Sequence, residues 1–264
     1  MTNKIQNGKP NLVMIHSFPT NSHILAGLYE YLTDFFNVYP VDLPGFVANL
    51  KPLETVNMMN YADFLRDRIE ILKLDNYWVG GVSFGFSVAN MVGDHRGCRG
   101  VLAIEPYLGS ENLKMSNKRK VFYVLAIKAI ELGNVFYKVF HSPFIQKYLL
   151  MGSSANLDKK IKNILDTMDA KTFFETAKIL LTSHEVDCKL LNVPYILIIN
   201  KIDGSIRADR IISRFAYEVD DLLIAHTTAE HYPKTITKEY FEKRIEKKEV
   251  DKIFEFIKKY DPSV

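Results

Sequence analysis

Ser83, Asp203 and His231 are side chains whose types and order suit nucleophilic chemistry. A serine hydroxyl attacks a carbonyl carbon when a base takes its proton, and a carboxylate orients that base. Two N–H donors are also needed where negative charge collects on the carbonyl oxygen. Ser83 sits in Gly81-Val82-Ser83-Phe84-Gly85, a Gly-x-Ser-x-Gly run. Before it, Tyr77, Trp78 and Val79 read as the end of a buried strand; after it, Phe86, Val88, Ala89, Met91 and Val92 suit a buried helix that Gly93 closes. A serine at the apex of so sharp a turn takes a strained backbone conformation. Side chains two residues to either side would collide across it, which is the physical reason for the glycines. The helix that follows aims its first N–H groups and positive dipole end at the reacting centre.

Plainer readings compete at each position. The run could be a Gly-rich crossover with Ser83 as a turn residue. It could also be a membrane span between Asp75 and Asp94, which its four glycines, two serines and two asparagines oppose. Asp203 precedes Gly204 and could close a turn. Its place beyond the apolar run Val193 to Ile199 favours the catalytic role, with Asp209 and Glu105 as alternative acids. His226 competes with His231 but falls inside an expected strand, Leu222 to His226. His23, His95, His141 and His184 read as surface or cap residues.

The elements that must hold these side chains alternate. Leu12 to Ile15 and Val38 to Val41 are short apolar strands, the second running into Asp42-Leu43-Pro44-Gly45-Phe46, and Val101 to Pro106 is another. Asn21 or Ser22 is placed to cap a helix through Leu28, Tyr31, Leu32 and Phe35. Tyr61, Phe64, Leu65, Ile69 and Leu72 fall at helical spacing over residues 60–73. Such alternation predicts an α/β fold, a doubly wound, mainly parallel sheet of about six strands. From Tyr107 to Leu190 strands give way to expected helices over residues 121–132, 135–150, 157–168 and 171–181, rich in aromatics. Residues 1–106 and 191–264 would then form the core and 107–190 a helical cap over the carboxyl ends of the strands. A helix near Ala208 to Tyr217 and a Lys/Glu-rich amphipathic helix carrying Ile253, Phe254 and Ile257 complete the chain.

Composition narrows the function class. The 264 residues are 47% hydrophobic, enough for a sizeable core, and the formal charge of +3 sets up no field for nucleic acid. Two cysteines, Cys98 and Cys188, suggest a reducing, cytoplasmic setting with unpaired thiols. Met1 to Pro10 is too polar for a signal peptide, and no zinc spacing, dinucleotide fingerprint or P-loop occurs. No cofactor, metal or integral membrane segment is expected.

Taken together, the motifs resemble the α/β-hydrolase superfamily, of the kind with a helical cap. The resemblance spans nearly the whole chain. It includes His16-Ser17-Phe18-Pro19 where the family has a His-Gly-x-Pro loop, Asp42-Leu43-Pro44-Gly45-Phe46, and the order Ser83, Asp203, His231-Tyr232-Pro233. It implies Ser83 as nucleophile, His231 as base and then acid, and Asp203 as orienting carboxylate. The backbone N–H groups of Phe84 and Phe18 become the oxyanion donors, with His16 bracing the loop. Ser17 and Glu230 stand where the family has glycines, and the ten residues before the first strand leave no room for the usual hairpin, so the antiparallel edge should be reduced or missing. The expected activity is hydrolysis of an ester, thioester or related acyl bond in a small, mainly apolar substrate. Carbon–carbon bond hydrolysis or acyl transfer on the same triad, and a non-catalytic binding module, are the competing readings. Epoxide and haloalkane hydrolases need a carboxylate where this chain has Ser83.

Overall fold

The computed structural model describes residues 8–143, 157–231, 233 and 236–261, with only the backbone of 157–161. Six strands form one sheet: β1 (Asn11–Ile15), β2 (Asn37–Val41), β3 (Tyr77–Val82), β4 (Cys98–Ile104), β5 (Tyr195–Ile199) and β6 (Leu222–His226). Their order is β2-β1-β3-β4-β5-β6, and every neighbouring pair is parallel. All residues of β3 and β5 are buried, as continuous apolar runs covered on both faces must be. No antiparallel strand extends the sheet among the described residues; residues 1–7, on which the expectation of a reduced edge partly rests, lie outside them.

Helices cover the two faces. On one, α1 (Ala26–Leu32) joins α9 (Lys238–Glu242) through the ring contact of Tyr31 with Phe241, and Phe35, in the turn after α1, packs on Phe254 of α10 (Lys247–Tyr260). Trp78 of β3 reaches Phe36 and Phe256 on that side. On the other lie α2 (Met58–Leu72), α3 (Phe84–Asn90) and α8 (Ala208–Glu218), where Phe86 and Tyr195 both pack on Phe215. Helix α2 starts two residues earlier than its apolar spacing predicts, because the Asn57 side chain accepts the Asn60 N–H as an N-cap.

Helix α1 starts later than expected. The Ser22 N–H and hydroxyl both donate to the Asp42 carboxylate, at 2.6 Å each, so Ser22 ties to the loop after β2 and caps nothing. Asn21 accepts the Ile24 N–H, and the helix begins at Ala26 without a side-chain cap.

Between β4 and β5 the described residues form α4 (Asn117–Gly133), α5 (Phe136–Phe140), α6 (Leu157–Thr167) and α7 (Ala170–Thr182). The helix expected over residues 135–150 appears as α5 only; residues 144–150 lie outside the described part. Helix α7 packs on both α4 and α5. Among the described residues, no helix is long and apolar enough to cross a membrane.

Candidate active site

The turn between β3 and α3 has the geometry its glycines require. Ser83 has φ 50° and ψ −115°, a left-handed conformation that costs a side-chain-bearing residue on the order of 1 kcal/mol or more. A Cβ on Gly81 would come within 2.2 Å of the Gly85 carbonyl carbon, and one on Gly85 within 2.2 Å of the His16 carbonyl oxygen. Both encounters are with backbone, which cannot swing aside. The Ser83 N–H continues the ladder to Ile104 O, and its own carbonyl accepts the N–H of Tyr107, so the apex is pinned to the end of β4.

Each of the other two expected side chains follows a strand. Asp203 lies four residues beyond β5, and its two carboxylate oxygens face different ways. Oδ1 accepts the N–H of Ser205 at 2.5 Å and of Ile206 at 2.8 Å, as a turn-closing aspartate would. Oδ2 lies 3.3 Å from His231 Nδ1, an ion-pair distance longer than a tight hydrogen bond. The turn reading and the site reading thus each take one oxygen. His231, beyond β6, brings Nε2 to 3.2 Å from Ser83 Oγ. With Nδ1–H turned to the carboxylate, the Nε2 lone pair faces the hydroxyl. The structure therefore brings together all three residues that the sequence singles out. Burial by itself would push the Asp203 carboxyl up. The His231 contact and charge, with the two turn N–H groups, outweigh burial and hold it below the ordinary carboxylate range.

The loop after β1 is held from within. The His16 ring is fully buried, and Nε2 accepts the Leu43 N–H at 3.0 Å, which leaves Nδ1–H to donate to Ser17 O. Burial first, against the opposing pull of Asp42 and Ser17 O, lowers its pKa, so it is a neutral brace between the loops after β1 and β2. Thr20 uses its hydroxyl proton on Ser17 O, so in the 2.9 Å contact between the two hydroxyls Ser17 is the donor. Ser17, in the place of a glycine, thus adds a hydrogen bond inside the loop. The Phe18 ring packs on Phe173 of α7 at 5.2 Å between centroids. The N–H groups of Phe18 and Phe84 have no hydrogen-bond partner among the described residues, as donors reserved for a ligand would not.

The rejected candidates separate from this cluster. Asp209 is exposed in the first turn of α8. His226 closes β6 opposite Ile199, with its N–H 3.4 Å from Glu249 of α10. Glu230 is exposed, and its N–H donates to the Tyr240 hydroxyl. Tyr232 lies outside the described residues. Glu105 is different: it stands beside Asp203 rather than in its place. One oxygen of each carboxyl and one His231 ring nitrogen all lie within 4.8 Å of one another. Those three groups are also the tight metal-donor set among the described residues. A cation there would occupy Nδ1 and leave the proton on Nε2, so metal binding and activation of Ser83 exclude each other.

Asn200 was not legible as part of the site. Its N–H donates to Glu105 Oε1 at 2.7 Å and its side-chain amide to Ala229 O at 2.9 Å, which joins the loops after β4, β5 and β6. Lys114 completes the support by donating its ammonium to the Asp203 carbonyl. Partners 29 and 95 residues away leave no local signal in the sequence.

Burial, then the neighbouring Asp203, pushes the Glu105 carboxyl up to about 9 from an ordinary 4.5; the Asn200 N–H opposes this. The folded protein therefore holds a proton that the unfolded chain releases. Its stabilising contribution is full below pH 4.5 and is lost as pH rises toward 9. The difference in unfolding free energy between wild type and Glu105→Gln should fall with rising pH between pH 5.5 and 8.5, by on the order of 1 kcal/mol per pH unit. Urea unfolding across that range checks it, and a difference independent of pH contradicts it. Asp203, shifted the other way, loses its contribution only at pH below this window.

No protein-family model matches the chain, and no curated protein matches it in sequence. Solved structures do match its fold. An esterase from Thermogutta terrifontis superposes with a TM-score of 0.68 at 17% identity, over 95% of this chain and 90% of that one. An epoxide hydrolase from Bacillus megaterium gives 0.63 at 16% identity, over 96% and 95%. An enol-lactonase from Burkholderia xenovorans gives 0.62 at 12%, over 96% and 91%.

Proposed function

We propose that this chain, whose fold is that of the α/β hydrolases, is a serine hydrolase that cleaves an ester, thioester or related acyl bond through an acyl-enzyme. The observation that carries this reading is Ser83 Oγ at 3.2 Å from His231 Nε2, at the apex of a strained turn. In the reaction Ser83 Oγ attacks the acyl carbon while His231 Nε2 takes its proton, and Asp203 stabilises the imidazolium that forms. The N–H groups of Phe18 and Phe84 receive the oxyanion. The proton then passes from Nε2 to the leaving group, and water activated by the same imidazole releases the acid. A carboxylate nucleophile, which the opening of an epoxide in this fold requires, has no counterpart at position 83.

We also propose that residues 107–190 act as a cap. Phe173 of α7 touches both Phe18 and Phe140, the latter at 5.0 Å, which brings an aromatic cluster to the loop that carries one oxyanion donor. That supports an apolar acyl or ring group on a small substrate. The test is turnover across a panel of acyl esters and thioesters, with His231→Ala alongside. The expected result is hydrolysis of at least one short apolar ester, reduced by about 10⁴-fold in the variant. Equal rates in both proteins would refute the role of His231.

A further inference from the structure

Behind Asp203 stands a second buried carboxyl that takes no part in the steps above. Glu105 is the first residue after β4, 5% exposed, with φ 45°. Glycine is the residue that holds such a conformation without cost, and among the described residues Ser83 and Glu105 are the two site positions that hold it with a side chain. Backbone strain kept at both suggests that both side chains are aimed for a purpose.

The hydrogen bonds settle which acid carries charge. Asp203 collects two N–H donors and faces the imidazole. Glu105 receives one N–H, from Asn200, while its Oε2 is buried with no donor among the described residues. The titratable groups facing it are Asp203 from the loop after β5 and His231 from the loop after β6, with Lys114 held on the Asp203 carbonyl. Two ionised carboxylates so close and so dry repel strongly, and the better-solvated one keeps its charge. A proton on Glu105 turns an acceptor lacking a donor into a donor beside Asp203.

We propose that Glu105 is a positioning residue of this site: a neutral carboxyl that holds its proton against Asp203, and becomes the ionised partner of His231 once the Asp203 charge is removed. This rests on the serine-hydrolase reading. When Asp203 is neutral the repulsion is gone and burial alone opposes ionisation, so Glu105 gives up its proton to solvent at a lower pH than in wild type, and a carboxylate then lies within reach of the ring.

The test is a double-mutant cycle of Glu105→Gln and Asp203→Asn, read as the rate of Ser83 modification by a fluorophosphonate between pH 6 and 10. Infrared difference spectra of wild type against Glu105→Gln at pH 7 accompany it. Glu105→Gln alone should change the rate at pH 7 by no more than about threefold. In the Asp203→Asn background it should cost tenfold or more toward the alkaline end of the range, where Glu105 is ionised, since interacting pairs are non-additive. The alkaline rise of the Asp203→Asn profile should vanish in the double variant. Wild type should show a protonated-carboxyl C=O band that Glu105→Gln lacks. The same factor in both backgrounds means a merely structural Glu105 and overturns the proposal, as does absence of the band. The infrared arm needs neither an Asp203 variant nor a working nucleophile. If wild type does not react with the probe, the hydrolase reading fails, and the takeover role with it; the band then decides the protonation state alone.

Discussion

Ser83→Ala is expected to lower kcat/KM on the best ester of the panel by roughly 10⁴-fold or more. In the proposed mechanism the hydroxyl is the atom that forms the acyl bond, and alanine leaves His231 Nε2 without a proton to take. The two backbone N–H donors stay in place, so a residue of activity above the uncatalysed rate should survive. Alanine also keeps a Cβ in the left-handed conformation, so the substitution does not relieve the turn. Only the 3.2 Å contact with His231 is lost from the folded state, worth about 1 kcal/mol. Activity should therefore collapse while the unfolding midpoint barely moves. Turnover by Ser83→Ala at the wild-type rate would place the chemistry elsewhere.

The largest effect on stability is expected at the glycines flanking that serine. Gly85→Ala drives a methyl to 2.2 Å from His16 O and 2.8 Å from Ile15 O, and Gly81→Ala drives one into the backbone of Gly85 and Phe86. No rotamer relieves either clash, because every opposing atom belongs to the main chain of Ile15, His16 or α3. Each substitution should cost about 3 kcal/mol or more. Gly204→Ala is the control. A Cβ there meets nothing within 4 Å, and the expected change is within about 0.5 kcal/mol. Urea-unfolding midpoints of the three variants check this. Comparable losses at all three glycines would mean that the tight turn is not what sets their cost.

Much of this architecture could be read in advance because its signals are local. Each strand is a short apolar run ended by polar or breaker residues, and Leu222–His226 matches its expected bounds residue for residue. Ser83, Asp203 and His231 were visible because each follows such a run, and the structure places the three side chains together. What escaped depends on distant partners. Ser22 looks like a helix cap until Asp42, twenty residues on, claims both its N–H and its hydroxyl. Asn200 looks like a strand end until it joins three loops. Glu105 could be weighed only as a rival to Asp203, since a pair of acids that divides one proton needs both positions in space.

The central claim is that Ser83 forms a covalent bond during turnover. The direct measurement is mass analysis of folded wild-type protein after reaction with a fluorophosphonate, followed by peptide mapping. One adduct per chain, on the peptide carrying Gly81-Val82-Ser83-Phe84-Gly85 and on Ser83 itself, is the predicted result. Unmodified protein, or an adduct on another residue with Ser83 intact, would contradict it.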